Sequence, residues 1–480
     1  MNMKMLIGGK QVDASDGQTQ HNINPATGDT IGTVPMATQA DVDLAVQNAV
    51  QGQKQWVQVP LYKRIEIFDQ FRKLVIRDRK QIAEVMCKEG GKRIDDALGE
   101  VDILEYIFRV FGEGARNLNG LTLPKGLEPR VEKDIVFTKL EPLGVVACII
   151  PFNYPSELYA HKVAPALITG NAVVIKPSSD TPMSDIMFTQ LLLEAGVPGN
   201  AAQIITGSGA KIGDWITRNP AVDAVSLTGS TKVGAHIMAT AAPHVPHVFL
   251  ELGGNDPLII FEDVDIDKAV AESLGGRISN AGQTCCASKR FLVHNNIKEK
   301  YTQKLIEALK KVKMGDPIDP SIDMGPVINK QAAQEVISQV RDMVALGSKC
   351  VLGGNANDCF VEPTVLIDVT PDMPVAQDLE IFGPVFPIIG FDTMEQAVEI
   401  ANNTPYGLHG GVMTGCMKTA MNVADQLQCG CVVIGGTGNY RSAHQAFGGY
   451  KQTGVGREGV SYSLAEMTQT KTIALKGIFD

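Results

Sequence analysis

Short β-rich apolar runs alternate with helical stretches twice along this chain, and that alternation restricts the fold more than any other feature. The first series follows Gly144: Val145 to Ile150, a helix-like segment, Ala172 to Ile175, a helix from Pro182 to Ala195, Gln203 to Ile205, a short helix, and Ala224 to Leu227. Strands separated by helices return in the same direction, so the series predicts a parallel sheet with helices on its faces. A second series runs from Pro257 to Phe261 through a helix at Asp267 to Arg277, a cysteine-bearing loop and a strand at Phe291 to His294. It continues with helices at Lys298 to Lys311 and Gln331 to Leu346, and strand-like runs at Phe386 to Phe391 and Cys431 to Ile434. Two such units are expected to face each other, and 480 residues suit about three domains or subdomains.

Outside the two series the texture differs. Leu61, Ile65, Phe68, Phe71, Val75, Ile82 and Met86 recur among Lys, Arg and Glu at helical spacing, and another helix is expected from Asp96 to Arg109. Leu121 to Lys139 reads as exposed hairpin or connecting structure. The tail from Thr470 to Ile478 alternates weakly, as a strand does; a terminal strand of this kind is expected to pair with a neighbouring subunit in a homodimer or homotetramer.

Composition excludes several classes of function. A formal charge of −10 and a pI near 5.4 argue against nucleic acid as a partner, since phosphate binding needs basic surface. The nine cysteines are odd in number, scattered, and without zinc-ligand spacing, so reduced cytosolic thiols and no metal are expected. The opening Met1 to Lys10 lacks a secretory apolar core, and no stretch reaches the roughly 18 apolar residues that span a bilayer. A soluble cytoplasmic protein with no membrane partner follows as the expectation.

Two residues carry candidate chemistry. Cys285, in Gly282-Gln283-Thr284-Cys285, offers a nucleophile once ionised; Glu251, in Glu251-Leu252-Gly253-Gly254, offers a base that activates water. Each has an ordinary alternative, a small buried hydrophobe for the cysteine and a solvated loop carboxylate for the glutamate. Thr228-Gly229-Ser230-Thr231 lies between a strand and a helix, where backbone N–H groups bind anions. By itself that turn reads equally well as a simple helix cap.

Seven motifs in order give the chain a family resemblance. They are Pro151-Phe152-Asn153-Tyr154-Pro155, Lys176-Pro177-Ser178, Thr228-Gly229-Ser230, Glu251-Leu252-Gly253-Gly254, Gly282-Gln283-Thr284-Cys285, Glu380-Ile381-Phe382-Gly383-Pro384 and Phe447-Gly448-Gly449-Tyr450-Lys451. With them the chain resembles, over nearly its whole length, an NAD(P)-dependent aldehyde dehydrogenase of the hydrolytic, non-phosphorylating kind. The resemblance implies an α/β fold with a Rossmann-like cofactor domain (1–120 and 141–252), a second α/β catalytic domain (253–465), and small oligomerisation strands (121–140 and 466–480).

It also implies roles. Cys285 attacks the aldehyde, Asn153 and the Cys285 backbone N–H hold the oxyanion, Glu251 activates water against the resulting thioester, and Lys162 stands near the base as a proton relay. Lys176 and Glu380 match residues that bind the two ribose hydroxyl pairs of NAD or NADP. Phe382 packs beside the nicotinamide ribose, Gly229 and Ser230 meet the pyrophosphate, and Ile150, Pro151, Phe152 and Leu252 line the cleft. Ser178 and Ser179 are expected contacts too; many NAD-preferring relatives carry glutamate at the position of Ser179, and serine removes its repulsion of a 2′-phosphate. Asn255 and Gln469 depart from common family residues along the water path.

Substrate residues are expected at Tyr154, Arg441, His444 and Arg109, a cationic mouth suited to a short anionic aldehyde such as succinate semialdehyde, with lactaldehyde and phosphonoacetaldehyde as similar choices. Two alternatives stand beside this reading: a CoA-acylating member of the same superfamily, and a non-catalytic protein that keeps the fold.

Overall fold

A computed structural model of the chain describes residues 1–477. Its first sheet runs, edge to edge, through Lys10–Val12, Met5–Ile7, Ala202–Ile204, Ala172–Lys176, Val145–Ile149, Ala224–Thr228, His247–Glu251 and Gly454–Val455. The five central strands are parallel and both edges antiparallel. From Val145–Ile149 the chain first moves one way across the sheet, then crosses back to Ala224–Thr228. Ligands bind at such a reversal, outside the carboxyl ends of the strands.

These strands are apolar throughout because helices cover both faces. Val146 and Cys148 join the core beneath the helices Leu61–Gly90, Ile94–Ala115, Pro155–Ile168 and Pro182–Ala195, with Phe68, Phe71, Phe108 and Tyr159. Val145 and Ala147, pointing oppositely, meet Ala45, Val46 and Ile212 from the helices Gln39–Trp56 and Gly209–Arg218. The longest helix stops at Gly91, whose φ of 71° is the left-handed conformation that suits glycine after a helix.

The second sheet runs through Lys349–Leu352, Thr364–Val369, Val385–Phe391, Ser288–His294, Asp256–Ile260, His409–Met413 and Cys431–Ile434, parallel except for its first strand. Only Leu252 to Asn255 separate the two sheets along the chain.

The chain then returns. Gly454–Val455, expected within the catalytic unit, pairs instead with Leu250 and Glu251 at the edge of the first sheet, and Val460 and Leu464 from the following helix join that unit's core. The expected tail strand is Thr468–Leu475; it pairs along its whole length with Ile135–Pro142 of its own chain. That pairing uses one edge of the strand, and Ile478 lies outside the described residues. Among those described, no helix is long and apolar enough to cross a membrane.

Candidate active site

The first sheet contributes the carboxyl ends of its strands. Val145–Ile149 delivers Ile150, Pro151, Phe152 and Asn153; Ala172–Lys176 ends in Lys176, followed by Ser178 and Ser179; Ala224–Thr228 leads to Gly229 and Ser230; His247–Glu251 ends in Glu251, followed by Leu252. Ser230 caps the helix Thr231–Ala241 by accepting from the Val233 N–H, and Gly229 donates its N–H to the Glu251 carbonyl. Lys176 is 4% exposed; its carbonyl accepts the Ile150 N–H, and its Nζ makes no hydrogen bond among the described residues. Burial lowers its pKa from 10.5 to about 8, against the pull of Asp180 and Asp185. Ser179 Oγ donates to the Gly207 carbonyl at 3.0 Å.

The second sheet contributes amino ends. Cys285 precedes Ser288–His294, Glu380 and Phe382 precede Val385–Phe391, and Gly253 to Asn255 precede Asp256–Ile260. Cys285 is partly buried. Hydrogen bonding with the neighbouring Cys286 side chain lowers its pKa below the ordinary cysteine value, assisted by the Lys289 and Arg441 cations against burial and Glu380, while the Cys286 thiol also lies 3.8 Å from Asn439 Oδ1. Lys289 is buried; its Nζ donates to the carbonyls of Cys285 (2.5 Å) and Ala287 (3.3 Å) and lies 3.3 Å from Glu380 Oε1. Glu380 closes down on Gly253, where any side chain would collide with its carboxylate, and accepts from the Gly254 N–H at 3.4 Å. Between the sheets lies a cleft of about 330 Å³ walled by Phe152, Gln283, Ile328, Glu380 and Phe382. Phe152 and Phe382 meet edge to face across it, with centroids 6.0 Å apart.

Asn153 and Tyr154 bridge to the cysteine loop. Asn153 Nδ2 donates one hydrogen to the Gln283 carbonyl at 2.9 Å, and the Asn280 side chain returns a bond to the Asn153 carbonyl. The Tyr154 hydroxyl is 3.0 Å from Thr284 Oγ1, with Lys92 against the ring face. Gln283 also accepts the Ile328 N–H, so the loop is fixed from both sides.

Behind this loop sit two carboxyl groups with opposite tendencies. Glu251 is 6% exposed, its Oε2 has no hydrogen-bond partner, and burial followed by the charge of Glu458 raises its pKa well above normal. Gly448 makes room for it: a Cβ there would stand 2.7 Å from Oε1. Burial alone would raise Glu458 likewise, but Lys162 Nζ at 2.8 Å and Arg441 at 2.6 Å hold its pKa well below normal. One carboxyl is thus kept ionised and the other kept ready to carry a proton.

Of the sequence-derived residues, Phe152, Glu380 and Phe382 wall the cleft, Asn153 bonds to the Cys285 loop through Gln283, and Glu251 and Lys162 line a separate small cavity with Glu458. Lys162, for which a surface position was the plain alternative, is 1% exposed. Arg441 is not a free cation, since it bridges Glu157 (3.1 Å) and Glu458 and covers the Phe447 ring at 3.9 Å. His444 is exposed, and Arg109 is exposed with its guanidinium against Tyr106. Asn255 bonds to the Val375 and Gln377 carbonyls, while Gln469 bonds to the Pro142 carbonyl in the two-stranded ribbon.

Sequence reasoning missed Glu458, Lys289 and the role of Cys286. No local pattern marks Glu458, which meets Lys162 from 296 positions away. Lys289 alternates with its neighbours as any strand residue does. No three of the described His, Cys, Asp or Glu residues form a group fit to hold a metal ion.

Residues 12–473 match the model of the aldehyde dehydrogenase family. The mitochondrial succinate-semialdehyde dehydrogenase of Arabidopsis thaliana is 36% identical over 473 residues, which cover 98% of this chain and 88% of that protein. The 3-sulfolactaldehyde dehydrogenase of Pseudomonas putida is 34% identical over 481 residues, covering 100% and 98%. The crystal structure of betaine aldehyde dehydrogenase from Staphylococcus aureus in complex with NAD+ matches with a TM-score of 0.96 at 34% identity, covering 99% of this chain and 95% of that one.

Proposed function

This chain belongs to the aldehyde dehydrogenase family and is an NAD(P)-dependent enzyme that oxidises small aldehydes to acids, and we propose that Cys285, Asn153 and Glu251 carry the reaction in that order. The observation that supports this most is the hydrogen bond from Asn153 Nδ2 to the Gln283 carbonyl at 2.9 Å, which joins the loop after Val145–Ile149 of the first sheet to the loop that carries Cys285.

The Cys285 thiolate, favoured by the neighbouring Cys286 side chain and the Lys289 cation, attacks the aldehyde carbon to form a thiohemiacetal. Its oxyanion takes the Asn153 N–H not given to Gln283, together with the Cys285 N–H. A dinucleotide fits the crevice because the Lys176 ammonium is buried without a hydrogen-bond partner among the described residues; when bound, its nicotinamide supplies the hydride acceptor. Lys176 and Glu380 would hold its two riboses, Ser178, Ser179, Gly229 and Ser230 its phosphate-bearing parts, and Ile150, Pro151, Phe152, Leu252 and Phe382 its flanks. Ser179 carries no charge, so NADP is admitted without NAD being excluded.

Loss of hydride from the thiohemiacetal carbon leaves a thioester on Cys285, and Glu251 then removes a proton from water as the oxygen attacks the thioester carbon. The tetrahedral adduct collapses to the acid and releases the Cys285 thiolate. Lys162, paired with Glu458 beside Glu251, relays that proton by giving up one ammonium hydrogen outward and taking the proton from Glu251 in its place.

For the substrate we favour a short aldehyde bearing an anionic group. The names of the relatives from Arabidopsis and Pseudomonas specify such aldehydes, and Tyr154 stands against the cysteine loop with its hydroxyl 3.0 Å from Thr284 Oγ1. His444 and Arg109, both exposed, would act further out, at the mouth. The free thiols suit a reducing cytoplasm, and the ribbon of 135–142 with 468–475 leaves edges for a homodimer or homotetramer.

The test is a panel of short aldehydes with NAD+ and NADP+, read by reduced-nicotinamide absorbance. Succinate semialdehyde should exceed a neutral aldehyde of equal length in kcat/KM by about tenfold or more. Equal values would remove the anionic reading, and acyl-CoA formation on adding CoA would replace hydrolysis with acyl transfer.

A further inference from the structure

Lys289 spans two functions that the preceding reading keeps separate. Its ammonium has three hydrogens and three acceptors: the carbonyl of the nucleophile Cys285, the carbonyl of Ala287, and the carboxylate of Glu380. It is 1% exposed, so no water screens the charge. Glu380 is 18% exposed at its side chain and forms part of the cleft wall. One end of this link is therefore fixed beneath the cysteine, and the other faces the crevice.

We propose that Lys289 is a positioning residue that couples occupancy of the ribose-binding part of the crevice to the reactivity of Cys285. With the crevice empty, the Glu380 carboxylate shares the Lys289 charge and adds its own negative field at the thiol. When ribose hydroxyls engage that carboxylate, its hold on Lys289 loosens. The ammonium then acts on Cys285 with less compensation, and the thiolate becomes more populated.

Other charged groups face the thiol but do not share this geometry. Arg441 approaches from the loop after Cys431–Ile434 and is fixed by Glu157 and Glu458. Cys286 bonds from the adjacent position, Glu251 comes from the end of the first sheet, and Asp256 from the start of the neighbouring strand. Of the cations near Cys285, Lys289 pairs with a carboxylate that the proposed cofactor contacts.

This inference rests on Cys285 as nucleophile and on the crevice as cofactor site, and the experiment separates those premises from it. The rate of Cys285 alkylation by iodoacetamide is followed against pH by peptide mass spectrometry. It is measured without ligand, with ADP, and with ADP-ribose, which carries the second ribose but no cationic nicotinamide. Calorimetry measures ligand binding in parallel.

ADP-ribose should move the profile downward by about one pH unit, about tenfold in rate below both midpoints, whereas ADP should leave it in place. Lys289→Met should bind ADP-ribose and lose the shift, and Lys289→Arg should restore part of it. A shift that persists in Lys289→Met overturns the proposal, as does bound ADP-ribose with no shift in the natural protein. Failure of ADP-ribose to bind at all overturns the cofactor reading itself. Glu380→Gln gives an independent check: without ligand, its profile should already lie below that of the natural protein, and an unchanged profile contradicts the coupling.

Discussion

The two sheets present opposite ends to the same cleft. The first offers carboxyl ends, and four of its five parallel strands open into loops that lead to helix N-termini, as Thr228 leads to the Ser230-capped helix, whereas His247–Glu251 runs on into the second sheet. Backbone N–H groups at such ends suit anionic ligands without any charged side chain. The second offers amino ends, reached from helix C-termini, where the backbone field has the opposite sign. A thiolate there cannot rely on the backbone, and the structure supplies buried cations, Lys289 and Arg441. In the proposed reaction one half of the site binds with its main chain and Lys176, whereas the other reacts with side chains held by ion pairs.

Substitutions should respect that division. The largest effect is expected from Cys285→Ser, which should lower kcat by about 10⁴-fold or more while calorimetric cofactor affinity stays within about threefold. A large loss of affinity would mean that the two halves cannot be separated. Glu251→Gln comes next: a first-turnover burst of reduced cofactor survives, and the steady rate falls by about 10³-fold. Because its raised pKa keeps Glu251 protonated at lower pH, the natural enzyme's steady rate should climb as pH rises while the burst persists. Normal steady turnover in the variant would remove it as the base.

Asn153→Ala should cost about 10²- to 10³-fold in kcat with little change in cofactor binding. On the cofactor side, Lys176→Met should weaken NADP+ binding and leave Cys285 alkylation intact. The same substitution should stabilise the fold at pH 7. A shift from 10.5 to about 8 corresponds to about 3 kcal/mol of burial penalty, present in full below pH 8 and small by 10.5, where the amine is neutral when folded and half neutral when unfolded. Urea melts at pH 7 and pH 10.5 test the sign; a destabilised variant at pH 7 would show that Lys176 has an internal partner.

The same division explains what the sequence revealed. Alternating apolar runs encode parallel strands locally, and the motifs sit at strand ends because only those backbone positions reach the cleft. Both are contiguous, so both were legible. The buried ion pairs were not: Lys162 finds Glu458, and Arg441 finds Glu157, from elements hundreds of residues apart. Burial converts an ordinary surface-type residue into a paired charge, and nothing in the neighbouring residues announces it. Arg441 illustrates the cost of reading charge without its partners, since a predicted open cation proves to be a shared one.

The strand Gly454–Val455 has a consequence for how this enzyme is made. It completes the sheet edge beside Glu251 about two hundred residues after Leu250, its partner, has left the ribosome. Until then the nascent first unit carries an open edge and an unfinished core, lacking Val460 and Leu464. Glu458 also arrives late, so Lys162 waits inside a half-built protein without its counter-ion. Synthesis is vectorial, but the fold closes only when the final segment comes back to the beginning, and a chain stalled before residue 454 would be a substrate for chaperones and not a slower enzyme.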